Sequence, residues 1–228
     1  MTRPLRIHSD LRTPNMLEIE NLECTRGDRV LFDGLHARAE AGTLLRVNGP
    51  NGSGKTSLLR LLCGLMQPTH GQIRWRGARI RDLAEDYARD LLYIGHRNGV
   101  KDDFTALENL HVGASLTARR ITLRQAAEAL ARLGLEGFED VPARHLSQGQ
   151  CRRIALARLF LGGEVPLWIL DEPYTALDVR GAAVLSERIG EHLRAGNIVV
   201  LTTHQEVPLE ARQVAAIELG MRPRRPRC

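Results

Sequence analysis

Eight residues, Gly49-Pro50-Asn51-Gly52-Ser53-Gly54-Lys55-Thr56, constrain this chain more than any others. They fit the pattern G-x-x-x-x-G-K-[ST], in which the glycines let the backbone turn tightly enough for several N–H groups to point inward at phosphate oxygens. Lys55 can reach the terminal phosphates of a nucleotide as a point charge, and Thr56 offers a hydroxyl to Mg²⁺. The flanks agree. Thr43-Leu44-Leu45-Arg46-Val47 reads as a strand entering the loop, and Ser57 to Cys63 reads as a helix leaving it, with Gly64 as its stop. Such a helix aims the positive end of its dipole at the phosphates. A chance glycine-rich turn would not need that strand before it or that helix after it. The fold class implied is α/β.

The length, 228 residues, suits one α/β domain with room for a lobed insertion. Hydrophobic residues make up 43%, enough for the chain to build its own core. No apolar run approaches the ~18 residues of a membrane span. The opening residues, Met1 to Asp10, lack the apolar stretch of a signal peptide, so a cytoplasmic protein is expected. Cys24, Cys63, Cys151 and Cys228 form no C-x-x-C pair, which leaves reduced, packed thiols as the simplest reading.

Net charge is +5, from 32 basic and 27 acidic residues. Four of the arginines, Arg222, Arg224, Arg225 and Arg227, sit in the last eight residues, and without them the balance is 28 against 27. The body is therefore nearly neutral, which argues against a basic face and against nucleic acid as a partner. The tail, 221–228, is expected to be disordered, a solvated tail or one that touches anionic lipid headgroups.

Along the chain, residues 1–15 read as a loose lead-in. Leu17 to Leu22 alternates apolar and polar as a half-buried strand does. Val30-Leu31-Phe32 and Leu35 to Ala39 continue as strand pieces around turns at Gly27-Asp28 and Asp33-Gly34, and Gly71 to Gly77 reads as a further strand. From about 105 to 160 the texture turns helical. Thr122 is placed to cap a helix with Leu123, Ala126, Ala127, Leu130 and Leu133 on its apolar face, ending at Gly134. A second helix starts near Gln150 and carries Ile154, Ala157 and Leu161. Leu167-Trp168-Ile169-Leu170 and Ile198-Val199-Val200-Leu201 are short apolar runs typical of buried parallel strands, and Val214 to Leu219 closes the fold.

Asp171 and Glu172 follow the first of those strands, at the carboxyl edge where ligands sit in open α/β sheets. Asp171 is suited to hold Mg²⁺ through water and Glu172 to polarise an attacking water. Adjacent carboxylates can also be turn residues, but a phosphate loop in the same chain favours the chemical reading. Leu146-Ser147-Gln148-Gly149-Gln150 resembles the L-S-G-G-Q signature of the ABC ATPases. The order of motifs resembles that superfamily too: phosphate loop, signature, Asp171-Glu172, then Thr175-Ala176-Leu177-Asp178 and Thr202-Thr203-His204, over roughly residues 17–219.

The resemblance implies an α/β phosphate-loop ATPase core, a parallel sheet flanked by helices with an antiparallel N-terminal β subdomain, and a helical subdomain that carries the signature. A single domain over 16–220 is expected, with core at 16–96 and 161–220 and helical lobe at about 97–160. The resemblance further implies that ATP is bound by Gly49 to Ser57. Thr56 and Asp171 would hold Mg²⁺, while Glu172, His204 and Lys55 carry the chemistry. Ser147, Gln148, Gly149, Gln150 and Asp178 would meet the nucleotide of a second subunit, so that ATP joins a homodimer.

Three departures stand out. Gln148 replaces a glycine of the signature, so a side chain must be accommodated there. Arg26 occupies the position of the aromatic residue that stacks on adenine; its planar guanidinium can stack, with less apolar area buried. His96 takes the place of the coupling glutamine, a role it fills only as a neutral acceptor, which would make coupling pH-dependent. Tyr93-Ile94-Gly95-His96, Leu167 to Asp178 and Leu201 to Gln205 are similar to the ATP-binding subunits of cytochrome c maturation systems. That resemblance implies an integral membrane permease as partner, a peripheral position on the cytoplasmic face of the bacterial inner membrane, and haem export or release of haem-loaded chaperone as the output. Another ABC exporter is the alternative. A soluble nucleic-acid or ribosome-associated ABC protein would carry two cassettes or long coiled coils, and this chain shows one cassette and no heptad run.

Overall fold

The computed structural model describes residues 14–116, 121–161, 165–205 and 208–220. Most of the lead-in and all of the basic tail lie outside them. The chain opens with three strands, β1 (Met16–Arg26), β2 (Arg29–Glu40) and β3 (Thr43–Asn48), followed by helix α1 (Lys55–Leu62). Next come β4 (His70–Trp75), β5 (Ala78–Arg79), the short α2 (Ile80–Leu83) and α3 (Glu85–Arg89), and β6 (Leu91–Ile94). The helical stretch holds α4 (Ala106–Leu116), α5 (Leu123–Arg132) and α6 (Gln148–Ala157). β7 (Leu167–Asp171), α7 (Val179–Arg194), β8 (Ile198–Thr202) and β9 (Gln213–Glu218) complete it.

Two sheets result among the described residues. β2-β1-β4-β5 pair antiparallel, and β6-β7-β8-β3-β9 pair parallel. The parallel sheet separates two cores. Every residue of β7 and β8 is buried, so the period-2 alternation of a strand sorts them by side. Trp168, Leu170, Val199 and Leu201 pack toward α4 to α7, whereas Leu167, Ile169, Ile198 and Val200 pack toward α1 and the antiparallel sheet. Each buried large side chain contributes about 1.5–3 kcal/mol, which is why these runs carry no polar interruption.

Several local readings need correction. Asp33-Gly34 is no turn: β2 is continuous, and between Phe32↔Cys24 and Leu35↔Leu22 it gains one residue over β1. This is a β-bulge, with Gly34 at φ 65, and the left-handed conformation suggests a turn in the sequence while the strand runs on. The helix after the phosphate loop begins at Lys55, not Ser57. It ends as expected, with Gly64 at φ 71 and bonds Gly64 N–H to Leu61 O and Leu65 N–H to Arg60 O. Thr122 caps α5 in a reciprocal pair with Gln125, but Leu123 at the first helical position is exposed, and Ala129 replaces Ala127 on the buried face. α6 starts at Gln148 and ends at Ala157, so Leu161 lies past a short 3₁₀ turn, buried all the same.

One core contact carries a pH prediction. His192 on α7 stacks on Trp168, with ring centroids 3.6 Å apart, while Arg188 lies over the Trp168 ring at 5.2 Å. Burial, reinforced by the Arg188 charge, pushes the His192 pKa down from 6.5 to about 3. The unfolded chain takes up the proton near pH 6.5 and the folded chain only near 3. The stability held by the neutral ring is therefore intact above pH 6.5 and is lost as pH falls toward 3, at about 1.4 kcal/mol per pH unit. His192→Phe keeps the stack without the proton site. Its loss of stability between pH 7 and pH 5 is expected to be smaller than that of the parent by about 2 kcal/mol, read from thermal unfolding at both pH values. Equal losses in the two chains would show that His192 does not titrate this way.

Candidate active site

The carboxyl ends of four parallel strands meet at one edge. β3 delivers the glycine loop, β7 delivers Asp171 and Glu172, β8 delivers Thr202 and then His204, and β6 leads to His96. They border a cavity of about 670 Å³ lined by Arg26, Arg29, Leu31, Asn51, Gly52, Gly54, Lys55, Thr56, Ser57, His96, Asp171, Glu172, Thr175 and His204. A larger cleft, about 750 Å³, lies beyond the end of α1 against Met66, Ile73, Ile80 and Tyr87. It holds none of the loop residues, so size does not locate the chemistry here.

The loop's shape depends on its glycines. Gly49, Gly52 and Gly54 have φ of 143, 78 and 106. A methyl group on Gly49 would lie 2.4 Å from the Leu219 carbonyl oxygen and 2.7 Å from Ser53 Oγ, so no side chain fits. Ser53 is buried and its hydroxyl lacks a protein partner. Lys55 Nζ folds back on the loop, donating to Gly49 O at 2.6 Å and Pro50 O at 3.4 Å. A left-handed glycine loop leading into a helix start, an unpaired buried hydroxyl and a folded-back cation fit a polyphosphate.

Asp171 is buried and accepts two hydroxyl hydrogen bonds, from Thr56 Oγ1 at 3.0 Å on one oxygen and from Thr202 Oγ1 at 2.8 Å on the other. A carboxylate beside a threonine hydroxyl is an all-oxygen donor set, which fits Mg²⁺. Thr202 also accepts from Glu172 N–H at 2.9 Å. Glu172 has φ 51, a left-handed conformation that costs a non-glycine residue on the order of 1–3 kcal/mol. Its carboxylate is one-fifth exposed, and its Oε1 lies 3.3 Å from His204 Nε2, which in turn lies 3.5 Å from Lys55 Nζ. The Glu172 contact lacks hydrogen-bond alignment, and Nε2 accepts from Lys55 only in the tautomer that leaves it without a proton.

The signature residues are elsewhere. Ser147 caps α6: its Oγ accepts from Gln150 N–H at 3.2 Å, and its own N–H donates to Gln150 Oε1 at 2.8 Å. The side chain of Gln150 is thus turned back on the start of its own helix. Ser147 and Gln148 are exposed, Gly149 approaches Ala176, and none of the four lines the cavity. Asp178 caps α7 through Gly181 N–H at 2.8 Å and pairs with Arg153 at 3.0 Å. The Gly181 amide, with help from Arg153, holds its carboxyl below the usual carboxylate range.

The structure brings together Arg26, the glycine loop, His96, Asp171, Glu172 and His204, and leaves Ser147 to Gln150 and Asp178 outside the cavity lining, with Ser147, Gln148 and Asp178 exposed. Two contributors were not singled out in the sequence. Thr202 reaches Asp171 through the register Asp171↔Thr202, which only the sheet pairing reveals. Arg152 sits inside α6 and bonds to the backbone at the end of β7 and in the loop beyond β6.

With this geometry in view, similarity to known proteins is informative. The sequence pattern of the ABC transporter family matches residues 32–175. The chain is 50% identical over 203 residues to the Nitrosospira multiformis protein described as cytochrome c biogenesis ATP-binding export protein CcmA, covering 89% of this chain and 98% of that one. It is 47% identical over 204 residues to the protein of the same description from Escherichia coli strain K12, covering 90% and 96%. Among solved structures, an ATP-binding subunit of an ABC transporter superposes with a TM-score of 0.75 at 27% identity, covering 83% of this chain and 79% of that one. The ATP-binding cassette MJ0796, a dimer in a post-hydrolysis state bound to ADP and Pi, does so with a TM-score of 0.73 at 25% identity, covering 83% and 88%. The chain therefore belongs to the ABC transporter ATP-binding family, in its cytochrome c biogenesis branch.

Proposed function

We propose that this chain is the ATP-hydrolysing subunit of a membrane ABC complex in c-type cytochrome biogenesis. The observation that carries the reading is a division of the site. One sheet edge gathers Arg26, the glycine loop, Asp171, Glu172 and His204 around one cavity, while Ser147 to Gln150 do not line it. A site split this way is completed by a second copy.

In the proposed reaction, water attacks the γ-phosphorus in line and ADP leaves. The loop and helix start at residues 49–57 cradle the phosphates through free backbone N–H groups, to which Pro50 contributes none, and Lys55 turns from Gly49 O to the terminal phosphates. Thr56 and Asp171 are the residues that would hold Mg²⁺. When bound, the ion would supply positive charge to offset that of the phosphates. Glu172 orients the attacking water, and His204, already between Glu172 and Lys55, contacts the γ-phosphate. Arg26 stacks on the base. Ser147, Gln148, Gly149, Gln150 and Asp178 of a second subunit close over the nucleotide, so that ATP joins two subunits and hydrolysis releases them. His96, at the cavity rim after β6, and the lobe at 97–160 transmit that motion to an integral membrane permease. No helix among the described residues is long and apolar enough to cross a membrane, consistent with a peripheral position on the inner membrane's cytoplasmic face.

The test is an affinity pull-down of the chain from detergent-solubilised native membranes, with partners identified by mass spectrometry. A small multi-span protein recovered with haem-handling components is the expected result. A different permease would retain the ATPase and remove the haem connection. Ribosomes or nucleic acid without a membrane partner would overturn the transport reading.

A further inference from the structure

Among the described residues Arg152 is one of the most buried charged groups, 5% exposed, and no carboxylate of those residues lies at hydrogen-bond distance from it. All of its described hydrogen bonds go to neutral groups. One terminal nitrogen donates to Gly95 O at 2.8 Å and Asn98 Oδ1 at 3.3 Å; the other donates to Asp171 O at 2.7 Å and Glu172 O at 2.9 Å. One planar fork therefore ties together three separate pieces of chain. These are the loop that carries His96, the end of β7 with its two acidic residues, and, through its own backbone, the helix that Ser147 starts. Burial works against the charge, and the nearby Asp171 and Glu172 work for it. A fixed cation in such a place needs a return, and the carbonyls it holds belong to residues whose placement matters for the reaction.

We propose that Arg152 is a positioning residue for hydrolysis, acting through Glu172 and the 95–98 loop. Its hold on Glu172 O, opposite the Thr202 hold on Glu172 N–H, fixes the left-handed peptide that aims the carboxylate. Its hold on Gly95 O and Asn98 moves the His96 loop and the signature helix as one body with that carboxylate. Lysine keeps the charge, but its single ammonium lacks the fork that reaches acceptors on both sides. This inference rests on the role assigned to Glu172.

Full-length Arg152→Lys and Arg152→Gln chains test it, assayed for ATP affinity, kcat, KM and thermal unfolding beside Glu172→Gln. The expected result is unchanged ATP affinity and KM, a cooperative melt, and kcat reduced on the order of 10²-fold. An Arg152→Ala chain is expected to regain turnover on addition of ethylguanidinium. A folded Arg152→Lys chain with the parent kcat would overturn the proposal, as would affinity and kcat falling together without guanidinium rescue. If Glu172→Gln itself turns over normally, the fault lies in the role of Glu172. If Glu172→Gln is inactive and Arg152→Lys is not, the fault lies in the role of Arg152 alone.

Discussion

A Glu172→Gln chain is expected to bind ATP, to hydrolyse it about 10²–10⁴-fold more slowly than the parent, and to accumulate as a dimer. The substitution preserves shape. The backbone of residue 172 is held by Thr202 and Arg152, and neither contact uses the carboxylate. Lost is the negative oxygen 3.3 Å from His204, which is the group placed to orient water. Binding contacts, made by the glycine loop and Lys55, remain. ATP that binds without being consumed keeps two subunits joined, so light scattering after size exclusion should show the dimer only with ATP present. A variant that binds ATP yet stays monomeric would count against the two-copy site.

Lys55→Ala is expected to abolish nucleotide binding or turnover. The ammonium offers three donors, and hydrogen bonds to charged groups are worth about 1.5–3 kcal/mol each. In the structure these donors go to Gly49 O, Pro50 O and the neighbourhood of His204, all at the rim of the cavity. The core is untouched, so the variant should fold and melt like the parent. Equilibrium binding of a fluorescent ATP analogue and steady-state phosphate release measure the effect. Parent-like turnover would refute the assignment of this loop to the triphosphate.

The parts of the site that lie within one short segment were legible in the sequence. Residues 49–56 carry their own geometry, because glycine spacing determines a loop that positive φ makes accessible only to glycine. Asp171-Glu172 could be placed because an apolar run must end where its strand leaves the core. Ser147 with Gln150 read as a motif, although their use as a reciprocal helix cap emerged only from the bonds. Features that depend on register were hidden. Thr202 reaches Asp171 because β7 and β8 pair in one of several possible alignments, and Gly34 signals a turn locally although β2 runs on through a bulge there, still paired to β1. Arg152 was hidden for a different reason: a charged residue on a helix is ordinarily solvated, and only the packing of three elements around α6 buries this one.

The strand order has a consequence for how the protein is made. β3, which leads into the glycine loop, is flanked in the sheet by β8 and β9, so both of its neighbours are translated long after it. Asn48 and Glu218, side by side at 2.6 Å, are 170 residues apart, and Gly49 rests against Leu219. During synthesis the nascent chain therefore carries a strand with Leu44, Leu45 and Val47 uncovered and with two open edges, a template for wrong pairing, until nearly all the described residues have emerged. The nucleotide pocket is finished only after β8 and β9 have emerged. Ribosome-bound intermediates should need chaperone cover, and ATP can act as a folding ligand only for chains that already include β9.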